Sequence, residues 1–220
     1  MASASRESSR PVSRAEQRKA RTRQKLIDAA RTFLAGGTDS GASIQHITDV
    51  ADVGFGSFYN HFSSKAELFQ AAVEQTLEEL GQLLDELGSD VGDPAMAFAQ
   101  SVRLTLRLAR SRPETAQVLV RHGMVYIDAD TGLAPRALRD IEAGAASGRF
   151  RVGNPRLAMA ITAGALLAVL HLSVSSPESV TDSTCDEAAE QLLRMLGVPP
   201  AQARKLATAR LPAVPSVDEM

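Results

Sequence analysis

Apolar residues recur every three or four positions along most of the chain, whereas strict alternation never persists beyond about four positions. The first spacing is that of an amphipathic helix and the second that of a strand. Ser, Thr, Asn or Asp precedes most of the periodic segments, and Gly follows several of them, as caps and stops of helices do. The pattern therefore predicts an all-α protein of about nine helices with short connections.

The predicted helix ends follow these caps. Ser13 with Glu16 three residues later is typical of a capping box at the start of the first helix. Thr184 with Glu187 has the same spacing and predicts a helix that ends at Gly197. The other predicted helices span about 44–51, 54–60, 65–87, 94–110, 113–125, 134–146 and 155–173, with a short terminal segment at 200–209.

Charge is unevenly distributed along the chain. Residues 1–31 hold nine Lys or Arg and three Asp or Glu, whereas residues 66–220 hold 14 basic and 20 acidic residues. A basic segment on an acidic body is typical of a protein that meets a polyanion at one end. The predicted organisation is a flexible basic arm at 1–12, a small domain at 13–64, a larger helical domain at 65–211 and a loose tail at 212–220.

The side chains of catalytic and metal sites are sparse. The four His are scattered without an H-x-x-x-H spacing, and no G-x-S-x-G occurs, so neither a metal site nor an enzyme is predicted, and no cofactor. Cys185 is the single cysteine, which excludes an internal disulfide and fits the reducing cytoplasm. The N-terminus has Arg residues but no apolar run of the secretory kind.

One segment is long enough to raise the question of a membrane. Residues 157–174 form a run of 18 residues without a charge, and this length is the lower limit for a membrane-spanning helix. Thr162, His171 and Ser173 interrupt the apolar run, and the segment stands alone. A helix buried on nearly all sides of a soluble protein is the preferred interpretation, and no membrane is predicted as a partner.

Aromatic residues concentrate in one stretch, VGFGSFYNHFSSK at 53–65. A phosphate-binding glycine loop is one explanation, but G-x-G-x-x-G fails at Tyr59 and no strand precedes the stretch. The alternative is a helix-turn-helix, with helices at 44–51 and 54–60 around a turn at Asp52. Ile47, Val50, Ala51, Val53 and Phe58 have the spacing to pack these helices on the first helix, and small residues at Gly54, Gly56 and Ser57 would allow close approach to DNA.

At this point the sequence resembles the DNA-binding head of the TetR family of bacterial transcriptional regulators, over about residues 20–70. The resemblance rests on Ser43-x-x-x-Ile47, Ala51-x-Val53, Gly56, Phe58-Tyr59-x-His61-Phe62 and Ser64-Lys65-x-x-Leu68. Three positions depart from the family pattern: Thr48 for Ala, Asp52 for Gly, and Gly54 for Ser or Thr. The departure at Asp52 leaves the fold intact, because Asp tolerates left-handed backbone better than most residues.

The resemblance implies a cytoplasmic, dimeric, ligand-responsive regulator, usually a repressor, that binds double-stranded operator DNA with palindromic sequence. Tyr59, His61 and Lys65 would contact phosphates, which fixes position rather than sequence. Base edges would be read by Gln45, Phe55, Ser57 and Asn60, close to Ser43 and Gly56. The nearest basic residues for further phosphate contacts are Arg18, Lys19, Arg21 and Arg23. An all-α adaptor without specific DNA binding remains the alternative.

The larger domain would hold the dimer interface and an effector pocket. Ala160, Gly164 and Ala168 form a small-x-x-x-small stripe, and with Leu192, Leu193 and Leu196 they predict a four-helix seam between two copies; burial inside one chain is the alternative. A small, mostly apolar effector is predicted for a pocket that has a few polar groups. The candidate lining residues are Phe98, His122, Met124, Tyr126 and His171.

Overall fold

The structure, a computed structural model, describes residues 13–213, so the arm predicted at 1–12 and the tail from residue 214 lie outside the described residues. Within 13–213 the chain forms ten α-helices and two short 3-10 helices and contains no strand, which confirms the predicted all-α class. The α-helices are α1 (Arg14–Gly36), α2 (Ile44–Val50), α3 (Phe55–Phe58), α4 (Lys65–Gly88), α5 (Pro94–Ser111), α6 (Pro113–His122), α7 (Leu133–Ala146), α8 (Pro155–Ser175), α9 (Asp182–Met195) and α10 (Pro200–Ala207).

Helix α1 begins and ends as the sequence predicts. The Ser13 hydroxyl accepts the Glu16 amide, and the Glu16 carboxylate accepts the Ser13 amide at 2.7 Å, which completes the capping box. Gly37 ends the helix with φ 67°, a left-handed conformation that favours glycine. Together α1, α2 and α3 form a small unit whose centre is filled by Ile47 and Phe58, both fully buried.

Helix α3 is a single turn, shorter than the predicted 54–60. After Phe58 the amides of Asn60 and His61 bond to carbonyls three residues back, at Ser57 and Phe58, so the chain tightens into turns. The turn brings Phe62 back onto Phe58, with ring centroids 6.1 Å apart. The shorter helix still places Phe55, Gly56, Tyr59 and Asn60 on the outside of the unit, while Phe58 fills its centre.

The remaining helices form the body, in which α5 packs against α4 and α6–α10. The Arg103 side chain on α5 is buried, and its guanidinium donates to Asp186 at 2.7 Å and to the Ala209 carbonyl at 2.6 Å. These bonds join α5 to α9 and to the chain after α10. The long helix α4 connects this body to the three-helix unit and packs along α1.

Helix α9 begins earlier than the Thr184–Glu187 spacing predicts. Thr181 is the N-cap, because its hydroxyl accepts the Thr184 amide while the Thr184 hydroxyl accepts the Thr181 amide. Thr184, three residues after the N-cap, therefore completes the capping box by accepting the N-cap amide. Glu187 was expected to play this part for a helix capped by Thr184.

Helix α8 differs from the prediction that it is buried on nearly all sides. It is long and apolar enough to cross a membrane by length and composition, yet only 28% of its apolar window is buried inside the chain. Leu157, Ile161 and Leu172 are each about half exposed, at 57, 48 and 51%. The helix thus presents an apolar face that nothing in residues 13–213 covers.

Candidate DNA-binding surface and effector cavity

The turn between α2 and α3 is tight and is held from α1. Asp52 adopts φ 51°, the one positive value at a non-glycine residue between 13 and 213, at the position where the resembled family has glycine. The Lys25 ammonium lies 3.1 Å from the Asp52 carboxylate, but the Asp52 side chain is 94% exposed. Such an exposed pair contributes little to stability, so the tolerance of Asp for left-handed backbone is the main reason that this residue fits the turn.

The outer face of α2 and α3 collects the predicted base-reading residues. Gln45, Phe55, Gly56 and Asn60 are exposed and Ser57 is half-buried, and the helices α2 and α3 that carry them pack against one another. Two further residues on α2, Asp49 and Val50, are exposed and were not predicted there. The Asp49 carboxylate accepts a hydrogen bond from the Gln45 amide at 2.7 Å. Val50 was expected in the core but is 50% exposed.

Ser43 lies at the edge of this surface but has a structural partner. Its hydroxyl accepts the His46 amide at 3.1 Å as the N-cap of α2. The side chain therefore fixes the start of the helix, and a DNA contact would have to share the same oxygen.

The aromatic residues of the surface form a row. The Tyr59 ring lies edge-to-face with Phe55 and Phe58, at centroid distances of 5.9 and 5.3 Å, and is itself 56% exposed. Phe58 belongs to the core, so its contact with the Tyr59 ring fixes the orientation of that ring, while the rest of the Tyr59 side chain remains exposed to solvent. A rigid phenol on an open face suits the predicted phosphate contact.

His61 lies between this row and α1. Partial burial lowers the pKa of its imidazole, and the nearby cations Lys19 and Arg23 lower it further. Its Nδ1 atom is buried without a hydrogen-bond partner among the described residues. Burial and the two cations thus disfavour the protonated imidazole in the free protein, an arrangement that an approaching phosphate would change.

The basic residues of α1 divide into two kinds. Arg18, Lys19 and Arg21 are exposed along the helix, in keeping with the phosphate contacts predicted for them. The Arg23 guanidinium instead stacks on the Phe62 ring, 5.1 Å from its centroid. That stacking holds Arg23 near His61 while leaving its charge at the surface.

The ammonium group of Lys65, predicted to contact a phosphate, is instead bonded within the protein. Its ammonium donates to three backbone carbonyls of the loop between α1 and α2, at Asp39 (3.2 Å), Ser40 (2.9 Å) and Ala42 (2.9 Å). An ammonium group has three N–H donors, and all three have partners inside the protein. No donor is left over for a phosphate in this arrangement.

A cavity of about 150 Å³ lies inside the body, between α4, α5, α7 and α8. Phe98 and Tyr126 line it, as predicted. The other three candidates do not: Met124 and His171 point outward and are exposed, and His122 is not among the lining residues. Met124 lies in a 3-10 helix (Gly123–Tyr126) that replaces the predicted α-helical continuation, whereas His171 lies on the exposed side of α8.

The charged residues that line the cavity are Asp85 of α4 and Arg136 and Asp140 of α7, and Arg139 of α7 is bonded to two of them from outside the lining. The Arg136 guanidinium donates to Asp85 at 2.8 Å and, through two nitrogens, to both carboxylate oxygens of Glu78 at 2.8 and 2.7 Å. Arg139 donates to Asp85 at 2.7 Å and to Oδ1 of Asp140 at 2.9 and 2.8 Å. We call Asp85, Arg136 and Asp140 the polar end of the cavity; no sequence pattern pointed to them.

The carboxyl groups in and near the polar end differ in the direction of their pKa shifts. Burial raises the pKa of Asp140, against the effect of its bonds to Arg139. Burial also opposes ionisation of Asp85, but hydrogen bonds from Arg139 and Arg136 leave the pKa of Asp85 lowered. Outside the cavity, the hydrogen bonds from Arg136 lower the pKa of Glu78 to about 2. Asp140 is therefore the carboxylate whose negative charge is least compensated.

The predicted interface residues are split between two environments. Leu192, Leu193 and Leu196 are buried inside the single chain, so they pack α9 onto the body and are not free to meet a second copy. Ala168 is exposed and Ala160 and Gly164 are half-buried on α8. The exposed apolar face instead runs along α8 through Leu157 and Ile161 to Leu172, and Met195 of α9 is also 37% exposed.

A helix-turn-helix on a three-helix unit, joined by one long helix to an all-α body with an internal cavity, defines a ligand-responsive DNA-binding transcriptional regulator. The family described as "Bacterial regulatory proteins, tetR family" matches residues 26–72, and "Tetracyclin repressor-like, C-terminal domain" matches residues 93–209. The chain belongs to the TetR family, as its resemblance implied, and the adaptor alternative is set aside. Regulators of this family are generally DNA-binding proteins rather than enzymes.

Solved structures give the same result. The crystal structure of RolR without ligand is 33% identical over 87% of this chain and 100% of its own, with a TM-score of 0.70. RolR in complex with its ligand resorcinol is 32% identical over 90% of this chain and 99% of its own, with a TM-score of 0.65. FadR from Bacillus subtilis in complex with stearoyl-CoA is 15% identical over 77% of this chain and 97% of its own, with a TM-score of 0.64, and shares the fold alone. No curated protein matched the chain.

Proposed function

We propose that this regulator responds to a small, neutral, hydroxylated aromatic molecule of one ring, which binds in the cavity of the body. A cavity of about 150 Å³ lined by apolar side chains accommodates a molecule of the size of benzene. Phe98, Leu166 and Leu170 are among the apolar lining residues. The charged ones, Asp85, Arg136 and Asp140, come from α4 and α7, and Ser101, Thr105 and Thr162 add hydroxyl groups. This arrangement, a ring-sized apolar volume with oriented acceptors, is the observation that carries the proposal.

The chemistry of the polar end favours a neutral ligand with hydroxyl groups over an acid. The guanidinium groups of Arg136 and Arg139 are occupied by Glu78, Asp85 and Asp140, so they offer little to a ligand carboxylate. Both bonds from Arg139 end on Oδ1 of Asp140, and within residues 13–213 no bond to Oδ2 is formed. A phenolic hydroxyl would donate to that oxygen.

The relative RolR, one-third identical over nearly the whole chain, binds resorcinol, a benzene ring with two hydroxyl groups. A ligand of this kind meets both requirements of the cavity in this chain. Resorcinol is therefore the first compound to test.

The test is calorimetric titration of resorcinol into the purified protein and into Asp140→Asn. We expect binding to the wild type and at least about tenfold weaker binding to Asp140→Asn, because the amide is a poorer acceptor for a phenol. Asp128→Asn, which changes an exposed carboxylate outside the cavity lining, is the matched control and should bind as the wild type does. Equal binding by all three proteins, or tighter binding of benzoate than of resorcinol, would contradict the proposal.

We further infer that two copies pair through α8 and α9 and act together in the cytoplasm as a repressor on a palindromic operator. The support is the apolar face on α8, where Leu157, Ile161 and Leu172 stay half exposed in the single chain. A two-fold dimer matches a two-fold operator in geometry.

The dimer is tested by sedimentation. Ile161→Glu places a charge on the apolar face and should convert a dimeric mass to a monomeric one, whereas Val50→Glu, at a similarly exposed apolar residue on α2, should leave the mass unchanged. Selection of bound sequences from random duplex DNA then supplies the operator. A palindromic motif is expected. A motif without a repeat would contradict the proposal that two copies bind one operator as a dimer.

A further inference from the structure

Two hydroxyl groups on α5 line the cavity without a hydrogen-bond partner. Ser101 and Thr105 are one helical turn apart, so their side chains lie on the same face of α5. Thr105 is only 6% exposed, and among residues 13–213 neither side-chain hydroxyl forms a hydrogen bond. Buried polar groups nearly always have a partner, because an unpaired one in apolar surroundings costs free energy. The two hydroxyls are therefore a polar site in the cavity wall that the fold itself does not use.

Thr162 of α8 shows the arrangement that Thr105 lacks. It also lines the cavity and is 4% exposed, but its hydroxyl donates to the Ala158 carbonyl one turn earlier at 2.8 Å. This local bond is a common one for threonine inside a helix. Thr105 has the Ser101 carbonyl one turn earlier in α5 and forms no bond to it. The Thr105 hydroxyl is thus free both to donate and to accept a hydrogen bond.

These free hydroxyls belong to a different wall from the polar end of the cavity. Asp85, Arg136 and Asp140 come from α4 and α7, whereas Ser101 and Thr105 come from α5. Within the described residues no hydrogen bond joins the two sets. A ring whose first hydroxyl is held by Asp140 can therefore meet a second hydrogen-bonding group on another helix.

We propose that Thr105, with Ser101 beside it, selects effectors that carry a second oxygen on the ring. This inference rests on the proposed function, because the first hydroxyl is the one placed at Asp140. A second ligand hydroxyl would pair with the Thr105 hydroxyl, which can donate and accept. A methyl group in its place would leave the Thr105 hydroxyl buried and unpaired, and a site built for a hydroxyl rejects such an analogue.

The test compares resorcinol with meta-cresol, in which a methyl group replaces one hydroxyl of the ring. In calorimetric titration the wild type should bind resorcinol at least about tenfold more tightly than meta-cresol. Thr105→Val exchanges the hydroxyl for a methyl group. It should bind resorcinol about tenfold more weakly than the wild type, and meta-cresol at least as tightly. Ser101→Ala should change the two affinities in the same directions by a smaller factor, because Ser101 is less buried.

Thr162→Val is the matched control. It makes the same chemical change in the same cavity, at a hydroxyl that already has a partner. The preference for resorcinol over meta-cresol should therefore stay as in the wild type. A preference that survives in both Thr105→Val and Ser101→Ala, or that is lost in Thr162→Val instead, would overturn the inference.

Unfolding in urea without ligand separates this inference from the proposed function. Thr105→Val removes an unpaired buried hydroxyl and should raise the urea midpoint, whereas Thr162→Val removes a bonded hydroxyl and should leave the midpoint unchanged or lower it. If the wild type binds resorcinol and meta-cresol equally, the phenolic effector stands and selection by Thr105 is wrong. If it binds neither, the proposed effector is wrong. A raised midpoint for Thr105→Val would then still support an unused polar site in the cavity, and a lowered one would overturn it.

Discussion

At the scale of single residues, the candidate DNA-contacting side chains differ in whether they already have hydrogen-bond partners within the chain. Tyr59 and Asn60 are exposed, whereas Ser43 and Lys65 are engaged in bonds within the chain. Residue types alone did not separate these two groups, since all four suit a DNA contact. The difference appears only when the partners of each side chain are known.

His61 should make operator binding dependent on pH. Burial and the cations Lys19 and Arg23 lower the imidazole pKa in the free protein, and a nearby phosphate would raise it in the complex. Binding then takes up a proton, so the extra affinity is present at acid pH and is lost as pH rises through the pKa of the complex. We expect affinity to fall by about three- to tenfold from about pH 6 to pH 8.

The control for this prediction is a second histidine of the same unit. His61→Gln should abolish the pH dependence, and His46→Gln, which changes an exposed ring packed edge-on against Phe33, should keep it. A pH dependence that survives in His61→Gln would assign the titration to another group.

Asn60 should affect sequence preference more than overall affinity. Its side chain is exposed directly after α3, and an amide can bond bidentately to adenine in the major groove. In Asn60→Ala we expect preference to relax at one base position of each half-site, by about 1–3 kcal/mol of discrimination, with the salt slope unchanged. An unaltered motif from selection on random DNA would refute base reading by this residue.

At the scale of helices, what could be predicted from sequence depended on the distance along the chain between partners. The Ser13–Glu16 capping box and the helix-turn-helix rest on residues only a few positions apart, and both predictions were confirmed. The polar end of the cavity joins Asp85 to Arg136, which are 51 positions apart. Asp85 is followed by Glu86, a pair typical of an exposed acidic helix face, so periodicity gives no signal for the cavity.

Gly81 shows how closely α4 and α7 approach one another. A Cβ atom at Gly81 would lie 2.9 Å from Cδ and Nη1 of Arg136. Arg136 has little freedom to move away, because Glu78 and Asp85 hold its guanidinium. Gly81→Ala should therefore destabilise the fold by about 1–2 kcal/mol despite the better helix propensity of alanine, and it should weaken resorcinol binding.

Gly88 at the end of the same helix is the matched control. A Cβ there meets no atom within 4 Å. Gly88→Ala should leave resorcinol binding unchanged and stabilise the protein by up to about 1 kcal/mol. Urea unfolding of both variants gives the comparison, and a stabilised Gly81→Ala would show that Arg136 yields easily.

At the scale of the whole molecule, the apolar helix α8 explains why burial was predicted wrongly. An apolar sequence looks the same whether its partners belong to its own chain or to a second copy. On α8, Met159 and Leu170 are buried in the core of one chain, whereas Leu157 and Ile161 remain exposed. Hydropathy identified the helix, but only the packed fold separates its inner side from the side left for another molecule.

The dimer should also set the salt dependence of DNA binding. Two linked heads contact twice as many phosphates as one, and the slope of log affinity against log salt is about 0.9 per phosphate contact. Ile161→Glu, which should separate the copies, is expected to bind the selected operator with about half the wild-type slope and at least about a hundredfold weaker affinity. Val50 is unsuitable as a control here because it lies on the DNA-binding surface, so Gln82→Glu, at an exposed residue of α4, serves instead. A monomeric Ile161→Glu that keeps the full slope would mean that one head makes all the phosphate contacts, and the paired arrangement on a palindromic operator would then be wrong.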